Sequence, residues 1–230
     1  SRAVIRDAVR LLSALGLVDV RHGRGMYVTE PGTDALSEAL FIALRRRGAS
    51  VWDVEELQQQ LLPSVVSFAA ERASTDEIRE LEAAAEDCLA VFGRALEEAR
   101  QAGREPGEAE AGQIAGAYGR FFELLYGASH NRVLAMLARP LYRLQSLKSW
   151  DSGEEEEEST SESVARERAV FDSILDAVRT RDAEAAAAAA RRVVDVYPES
   201  AREAMRRTPI GDRATLPDGL TWPGEDSAHR

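Results

Sequence analysis

The first 28 residues constrain the fold more strongly than any other part of this 230-residue chain. Apolar residues recur there at the spacing of one helix face: Val4, Ile5, Ala8, Val9, Leu11, Leu12 and Leu15. Arginines recur every four residues on a different face: Arg2, Arg6 and Arg10. The pattern predicts an amphipathic helix with one buried face and one basic stripe.

Two short alternating segments with a turn between them follow this helix. Gly16 stands where a helix C-cap belongs, and residues 17–21 alternate as a strand does. The turn HGRG at residues 22–25 leads into a second short strand at residues 26–28. A basic helix beside a basic hairpin suits a DNA groove and its flanking phosphates.

This order of residues resembles the second half of the winged helix-turn-helix of the GntR family. In that family a Ser/Thr-Arg pair opens the recognition helix, a second Arg follows one turn later, and the wing carries a Gly-x-Gly. The resemblance implies that six residues contact DNA, with His22 and Gly23 in the minor groove: Ser1, Arg2, Arg6, His22, Gly23 and Arg24. The alternative is an ordinary amphipathic helix with solvated arginines. Because two helices precede the recognition helix in this family, we expect the sequence to be truncated at its front.

Charge is distributed unevenly along the chain. The net charge is −11, which argues against a protein that coats nucleic acid. Residues 1–30 nevertheless hold five arginines and three acids, a net charge of +2. The single Cys88 excludes an internal disulfide and suits a reducing compartment, and its setting predicts a small core residue. With no signal peptide and no apolar run of membrane-spanning length, we expect a cytoplasmic protein.

The rest of the chain is predicted to be almost wholly helical because Ala, Leu, Arg and Glu dominate it. Eight helices are expected, at residues 34–47, 51–73, 76–102, 113–127, 132 towards 150, 164–180, 183–197 and 198–206. Pro63 should bend or interrupt the second of these. The acidic segment 151–163 is expected to be solvated or disordered. The predicted domains are a partial winged helix at 1–30, a helical domain at 34–206 and a flexible tail at 207–230.

Three helical segments resemble the ligand-binding domain, called FCD, that follows the winged helix in the FadR branch of the GntR family. They are DVEELQQQLLPSVVSFAAERA, FFELLYGASHNRVLAMLARPL and FDSILDAVRTRDAEAAAAAARRVV. The preceding ALSEALFIALRRRG resembles the extra helix of the seven-helix form of that domain. The resemblance implies a mainly α protein whose antiparallel bundle of six to seven helices encloses a small-molecule cavity, usually in a homodimer.

Many members of that family hold a divalent metal with one Asp and three His. The corresponding positions here are Tyr118, Phe122, Phe171 and Val193. Apart from the weak phenol of Tyr118, these side chains cannot bind a metal, so we predict no metal and no other cofactor. An Arg common in the family is also replaced here, by Gln58, and an acid one turn later by Leu62.

Two interpretations of these replacements stay open. In one, the four side chains fill the former cavity and make a plain packed core. In the other, they line an apolar pocket for a bulkier or less charged effector, with Gln58, Gln113 and Tyr118 as polar contacts. The predicted effector pocket is therefore Gln58, Gln113, Tyr118, Phe122, Phe171 and Val193.

No constellation of catalytic residues is recognisable in the sequence, so we predict that the protein is not an enzyme. The predicted function is a transcriptional regulator that binds a double-stranded DNA operator as a homodimer and responds to an unidentified small-molecule effector. The alternative is a helical ligand- or partner-binding dimer that has lost DNA binding through truncation of its winged helix.

Overall fold

The structure is a computed structural model that describes residues 2–14, 17–21, 23–28, 33–104, 106–145, 160–194 and 199–210. These residues form, in order, α1 Arg2–Ala14, β1 Val18–Arg21, β2 Gly25–Val28, α2 Asp34–Arg46, α3 Val51–Arg72, α4 Thr75–Gln101, α5 Glu108–Ala128, α6 Arg132–Gln145, α7 Thr160–Arg179, α8 Ala183–Val194 and α9 Glu199–Arg207. The fold is mainly helical with one small sheet, as predicted. No helix in these ranges is both long and apolar enough to cross a membrane.

The front module, residues 2–28, is a helix followed by an antiparallel hairpin, as predicted. β1 pairs with β2 from Val18 opposite Val28 to Arg21 opposite Gly25, and α1 packs against β1. Gly23 and Gly25 have φ values of +72° and +104°, a left-handed region that side chains other than glycine rarely adopt. The two glycines therefore allow the chain to reverse within so short a turn.

The apolar face of α1 is not buried, which corrects the prediction. Val4, Ile5 and Leu11 are 65%, 64% and 62% exposed, whereas Val9 and Leu12 are half-buried. The physical reason is a lack of partners, because α1 packs closely only on β1 within the part of the chain that the structure describes.

Helices α3 to α8 form the bundle that encloses the main core. α3 packs along α8, while α4 packs against both α5 and α7. Several of the most deeply buried side chains of the bundle lie on α3, α4, α5 and α7: Val65, Val66, Leu81, Phe121, Leu125, Ile174 and Val178. Capping boxes start two of the helices, Ser50 with Asp53 at α3 and Ser74 with Glu77 at α4.

Two prolines lie inside helices without ending them. α3 runs unbroken through the buried Pro63, so the predicted interruption does not occur. α6 likewise contains Pro140, which is fully buried. Proline removes one backbone donor, but packing against neighbouring helices supplies most of the stability of a helix in a protein.

Several helix ends differ from the prediction. α5 begins at Glu108 rather than at residue 113, and Gly107 is its N-cap. α7 begins at Thr160, inside the segment 151–163 predicted to be solvated or disordered, of which residues 151–159 lie outside the described residues. Glu162, an acid in the first turn of α7, interacts favourably with the helix dipole.

The helical domain extends further than predicted at its C-terminal end. Ile210 is 3% exposed and packs with Val54 and Leu141, although residues 207–230 were predicted to be a flexible tail. The Val51 amide donates to the Thr208 carbonyl at 2.8 Å, and the Ile210 amide donates to the Ala49 carbonyl at 2.9 Å. These contacts hold residues 207–210 against the junction between α2 and α3. Residues 211–230 lie outside the described residues.

Candidate nucleic-acid interface and effector site

Three of the six predicted DNA contacts are exposed arginines. Arg2 and Arg6 lie one turn apart on α1, and Arg24 lies in the turn of the hairpin beside Gly23. None of the three arginines makes an ion pair with any described residue. Their charges are therefore free to meet an anionic partner. Ser1 and His22 lie outside the described residues.

The other two arginines of the front module are held by neighbours. Arg10 lies 3.7 Å from the Asp7 carboxylate, and the Nε of Arg21 donates to Asp19 at 2.9 Å. The Arg21 guanidinium also lies over the ring of Tyr27, 5.3 Å from its centre. The Tyr27 hydroxyl donates to the carbonyl of Arg24 at 2.8 Å and so fixes the turn of the hairpin.

Four aromatic side chains on three helices of the bundle form what we call the aromatic cluster: Tyr118 and Phe122 of α5, Tyr142 of α6 and Phe171 of α7. The ring centres of Tyr118 and Phe171 are 5.6 Å apart, and those of Phe122 and Tyr142 are 5.9 Å apart in a stacked pair. The buried Phe121 lies between the two pairs and contacts both edge-on. Its ring centre is 5.7 Å from that of Phe122 and 4.7 Å from that of Phe171. The structure thus brings three of the predicted pocket residues together.

Tyr142 was not among the predicted pocket residues. A Cβ atom on Gly119 would lie 3.0 and 3.1 Å from two carbons of the Tyr142 ring, so the ring packs directly on the backbone of α5. Leu134, Ala138 and Leu141 form the buried line of α6, whereas Val133 is 66% exposed. The helical spacing of these buried residues is the sequence signal that predicts a position for Tyr142 next to the core.

The polar groups at the aromatic cluster are neutral hydroxyl and thiol groups next to acids. The Tyr118 hydroxyl donates to the carboxylate of Glu167, and burial together with this acid raises the pKa of Tyr118 far above its usual value. Burial, with Asp87 and Glu167, raises the pKa of the Cys88 thiol to about 12. Burial also raises the pKa of Tyr142. Cys88 is fully buried, as predicted.

The remaining predicted pocket residues divide between buried, exposed and undescribed positions. Gln58 is 6% exposed, and its side-chain oxygen accepts a hydrogen bond from the Tyr126 hydroxyl at 3.2 Å. Gln113 is exposed on α5 and so does not join the aromatic cluster, because its position faces away from the core. The side chain of Val193 lies outside the described residues.

The family's metal does not fit the side chains at these positions. Tyr118, Phe122 and Phe171 offer one phenol and two hydrocarbon rings, and the phenol already donates to Glu167. In the described ranges no group of three or more His, Cys, Asp or Glu could hold a metal ion. That the protein works without a metal stays a prediction.

An open groove of about 630 Å³ runs between the C-terminal part of α4 and the first turns of α7. Arg100 and Arg168 line this groove. Arg100 forms an ion pair with Glu97 at 2.7 Å, and Arg168 forms one with Glu86 at 2.6 Å. Val164 lines the same groove and also packs against the main core. The groove therefore reaches the bundle one turn of α7 from Glu167.

Known proteins show similarity to both parts of the chain. The family model of the FCD domain matches residues 53–196. The HTH-type transcriptional regulator LutR of Bacillus subtilis (strain 168) is 30% identical over 82 residues, 36% of this chain and 37% of LutR. The Uxu operon transcriptional regulator of Escherichia coli (strain K12) is 27% identical over 139 residues, 60% of this chain and 48% of the regulator. The chain thus spans less than half the length of these curated relatives.

The solved structure of Streptococcus agalactiae GntR has a similar fold. The TM-score is 0.55 at 21% identity, and the match covers 88% of this chain and 82% of the other. This breadth means that the similarity extends beyond the bundle matched by the family model. The chain therefore belongs to the FCD domain family, and its fold is similar to that of Streptococcus agalactiae GntR.

Proposed function

We propose that this chain is part of a transcriptional regulator that binds operator DNA through its front module and a small-molecule effector within its bundle. The observation that carries the proposal is the trio Arg2, Arg6 and Arg24, exposed and without ion pairs among the described residues. The names of LutR and the Uxu operon regulator, both transcriptional regulators, support the assignment.

The charge distribution supports a role for these arginines in binding phosphates. The whole chain carries a net charge of −11, so a DNA duplex is repelled by most of its surface. On the bundle, by contrast, cations such as Arg168 and Arg179 are neutralised by Glu86 and Glu82. The front module presents unpaired cations on a helix and a hairpin of suitable size for a groove, where they can meet DNA phosphates.

A salt-dependence experiment on the full chain tests the proposal without knowledge of the operator. Binding to a random-sequence duplex is measured over a range of salt concentrations for the wild type, Arg2→Ala and Arg6→Ala. Each substitution should weaken binding and lower the slope of log affinity against log salt by about 1, the value for one lost phosphate contact.

Arg79→Ala is the matched control, because Arg79 is also exposed on a helix but is paired with Asp76. It should leave both affinity and slope unchanged. If all four proteins behave alike, the front module is not the DNA-binding surface, and a helical ligand- or partner-binding dimer becomes the better assignment.

Further parts of the proposal follow from a regulatory role. We expect a homodimer whose two-fold symmetry matches two operator half-sites. We also expect a cytoplasmic protein with no enzymatic activity and no resident metal. Size-exclusion chromatography with light scattering and elemental analysis of the purified chain test the dimer and the metal.

A further inference from the structure

The charged groups that act on the hydroxyl and thiol groups at the aromatic cluster carry negative charge. The charged groups that act on the Tyr118 hydroxyl and the Cys88 thiol are acids, Glu167 on both and Asp87 on the thiol. The groove beside α7 offers no compensating free cation, because Arg100 and Arg168 are already paired with Glu97 and Glu86. A carboxylate or phosphate brought to this position would meet repulsion from Glu167, which the paired Arg100 and Arg168 of the groove do not offset.

A positively charged group would meet the opposite conditions. The faces of aromatic rings carry partial negative charge and attract ammonium groups, and several rings beside one carboxylate make such a site strongest. Tyr118 and Phe171 lie 5.6 Å apart, while Phe122 stacks on Tyr142 at 5.9 Å, so the four rings come from three helices around one region. Glu167 is half-buried on α7 four residues before Phe171, so these two side chains share one face of the helix, and the Glu167 carboxylate acts on the Tyr118 hydroxyl.

The aromatic cluster also retains the surface that a ligand needs. Tyr118, Phe122, Tyr142 and Glu167 are half-buried, whereas Phe171 and the neighbouring Phe121 and Leu125 are buried. Val164, one turn before Glu167 on α7, forms part of the open groove. Glu167 therefore lies one helical turn from the groove.

We propose that the aromatic cluster and Glu167 bind an effector carrying an organic ammonium group, and that they select against carboxylate effectors. This inference rests on the proposed function, since it names the chemical class of the effector for the bundle. Glu167 pairs with the ammonium group, and the rings of Tyr118, Phe122, Tyr142 and Phe171 cover its organic part.

Calorimetric titration of the full chain at pH 7 with two probes of similar shape tests the proposal. Phenethylammonium carries a positive charge at that pH, and 3-phenylpropanoate carries a negative charge on a chain of similar length. We expect saturable binding of the cation that is at least about tenfold tighter than that of the anion, the ratio expected from one charge-assisted contact. This comparison uses only the wild type.

Glu167→Gln removes the charge but keeps an oxygen that can accept from the Tyr118 hydroxyl. It should weaken binding of phenethylammonium by about tenfold or more and reduce the preference over 3-phenylpropanoate. The matched control is Asp172→Asn, which removes an exposed acid from the same helix and should leave both affinities unchanged. Thermal unfolding of each variant verifies that it is folded.

Three results would overturn the inference: tighter binding of the anion, cation binding that Glu167→Gln does not change, or no saturable binding of the cation. The titrations contain no DNA, so they fail or succeed separately from the salt-dependence test of the front module. A chain that binds DNA and prefers the anion would keep the proposed function and lose only the effector class.

Discussion

Similar sequence patterns in the front module and in the bundle lead to opposite degrees of burial and of ion pairing. Leu11 on α1 and Leu81 on α4 both belong to the apolar faces of amphipathic helices, yet Leu11 is 62% exposed and Leu81 is fully buried. Arginines differ in the same direction. Arg2 and Arg6 lack ion pairs among the described residues, whereas Arg168 and Arg179 of the bundle join α7 to acids of α4.

The difference separates a surface that needs a partner from a unit that satisfies its own groups. In the described residues of the bundle no buried side-chain nitrogen or oxygen lacks a hydrogen bond. The front module leaves both apolar and cationic groups open. Substitutions should therefore lower the free energy of unfolding strongly in the bundle and weakly in the front module. Their effects on DNA affinity should follow the reverse order.

The largest expected effect compares Leu81→Ala with Leu11→Ala. Loss of the fully buried Leu81 leaves a cavity and should lower the free energy of unfolding by about 2–5 kcal/mol. The same change at the exposed Leu11 should alter it by no more than about 0.5 kcal/mol. Urea unfolding followed by circular dichroism measures both. Equal costs would mean that the apolar face of α1 is covered in solution.

A second substitution asks whether residues 207–210 belong to the bundle. Ile210→Ala removes a side chain that is 3% exposed against Val54 and Leu141, and it should lower the free energy of unfolding by about 2 kcal/mol. Arg207→Ala, at an exposed residue paired only with Glu203, is the control and should have almost no effect. If Ile210→Ala also has no effect in urea unfolding, the contact with the α2–α3 junction does not persist in solution.

A smaller effect is expected from the buried hydrogen bond between Tyr126 and Gln58. Tyr126→Phe keeps the ring but leaves the side-chain oxygen of Gln58 without this donor, at a cost of about 1–2 kcal/mol in the free energy of unfolding. The double variant with Gln58→Leu should recover part of that loss, because no buried acceptor then stays unpaired. Strictly additive costs would show that the two side chains are not coupled.

The smallest expected effect concerns pH. The hydrogen bond from Arg100, with a second from Gln101, lowers the pKa of Glu97 from 4.5 to about 2. A lowered carboxylate pKa contributes stability above 4.5 that is lost as the pH falls from 4.5 through 2. Glu97→Gln should flatten this part of the stability curve in acid unfolding, and Glu98→Gln, at an exposed neighbour, should not. Parallel curves for the wild type and Glu97→Gln would show that the pair of Glu97 and Arg100 does not contribute to the pH dependence of stability.

Local patterns in the sequence were sufficient to predict most of the helices and two of their starts. Ser50 and Ser74 stand three residues before Asp53 and Glu77, and both pairs form the capping boxes that such spacing favours. The hairpin was likewise predictable, since Gly23 and Gly25 bracket Arg24 between alternating residues. These features depend on neighbours along the chain, which a sequence displays directly.

Contacts between distant segments were harder to predict. Pro63 and Pro140 were compatible with helices because the bundle packs around them, and Ile210 is buried because the chain returns to the α2–α3 junction. In the aromatic cluster, Tyr118, Phe122 and Phe171 were expected from the family resemblance. Tyr142 and Glu167 came only from the structure, since they lie on different helices from the residues they contact.

By itself the sequence determined the helical class, the caps, the hairpin and the basic stripe of α1, because each of these follows from the side chains of residues close together in the chain. Tertiary structure alone decided which apolar faces found partners, so that Leu81 became core and Leu11 did not. It also placed Glu167 beside Tyr118 and thereby set the charge at the aromatic cluster. Burial and electrostatic environment depend on what the fold brings near a side chain, and that information is distributed over the whole chain.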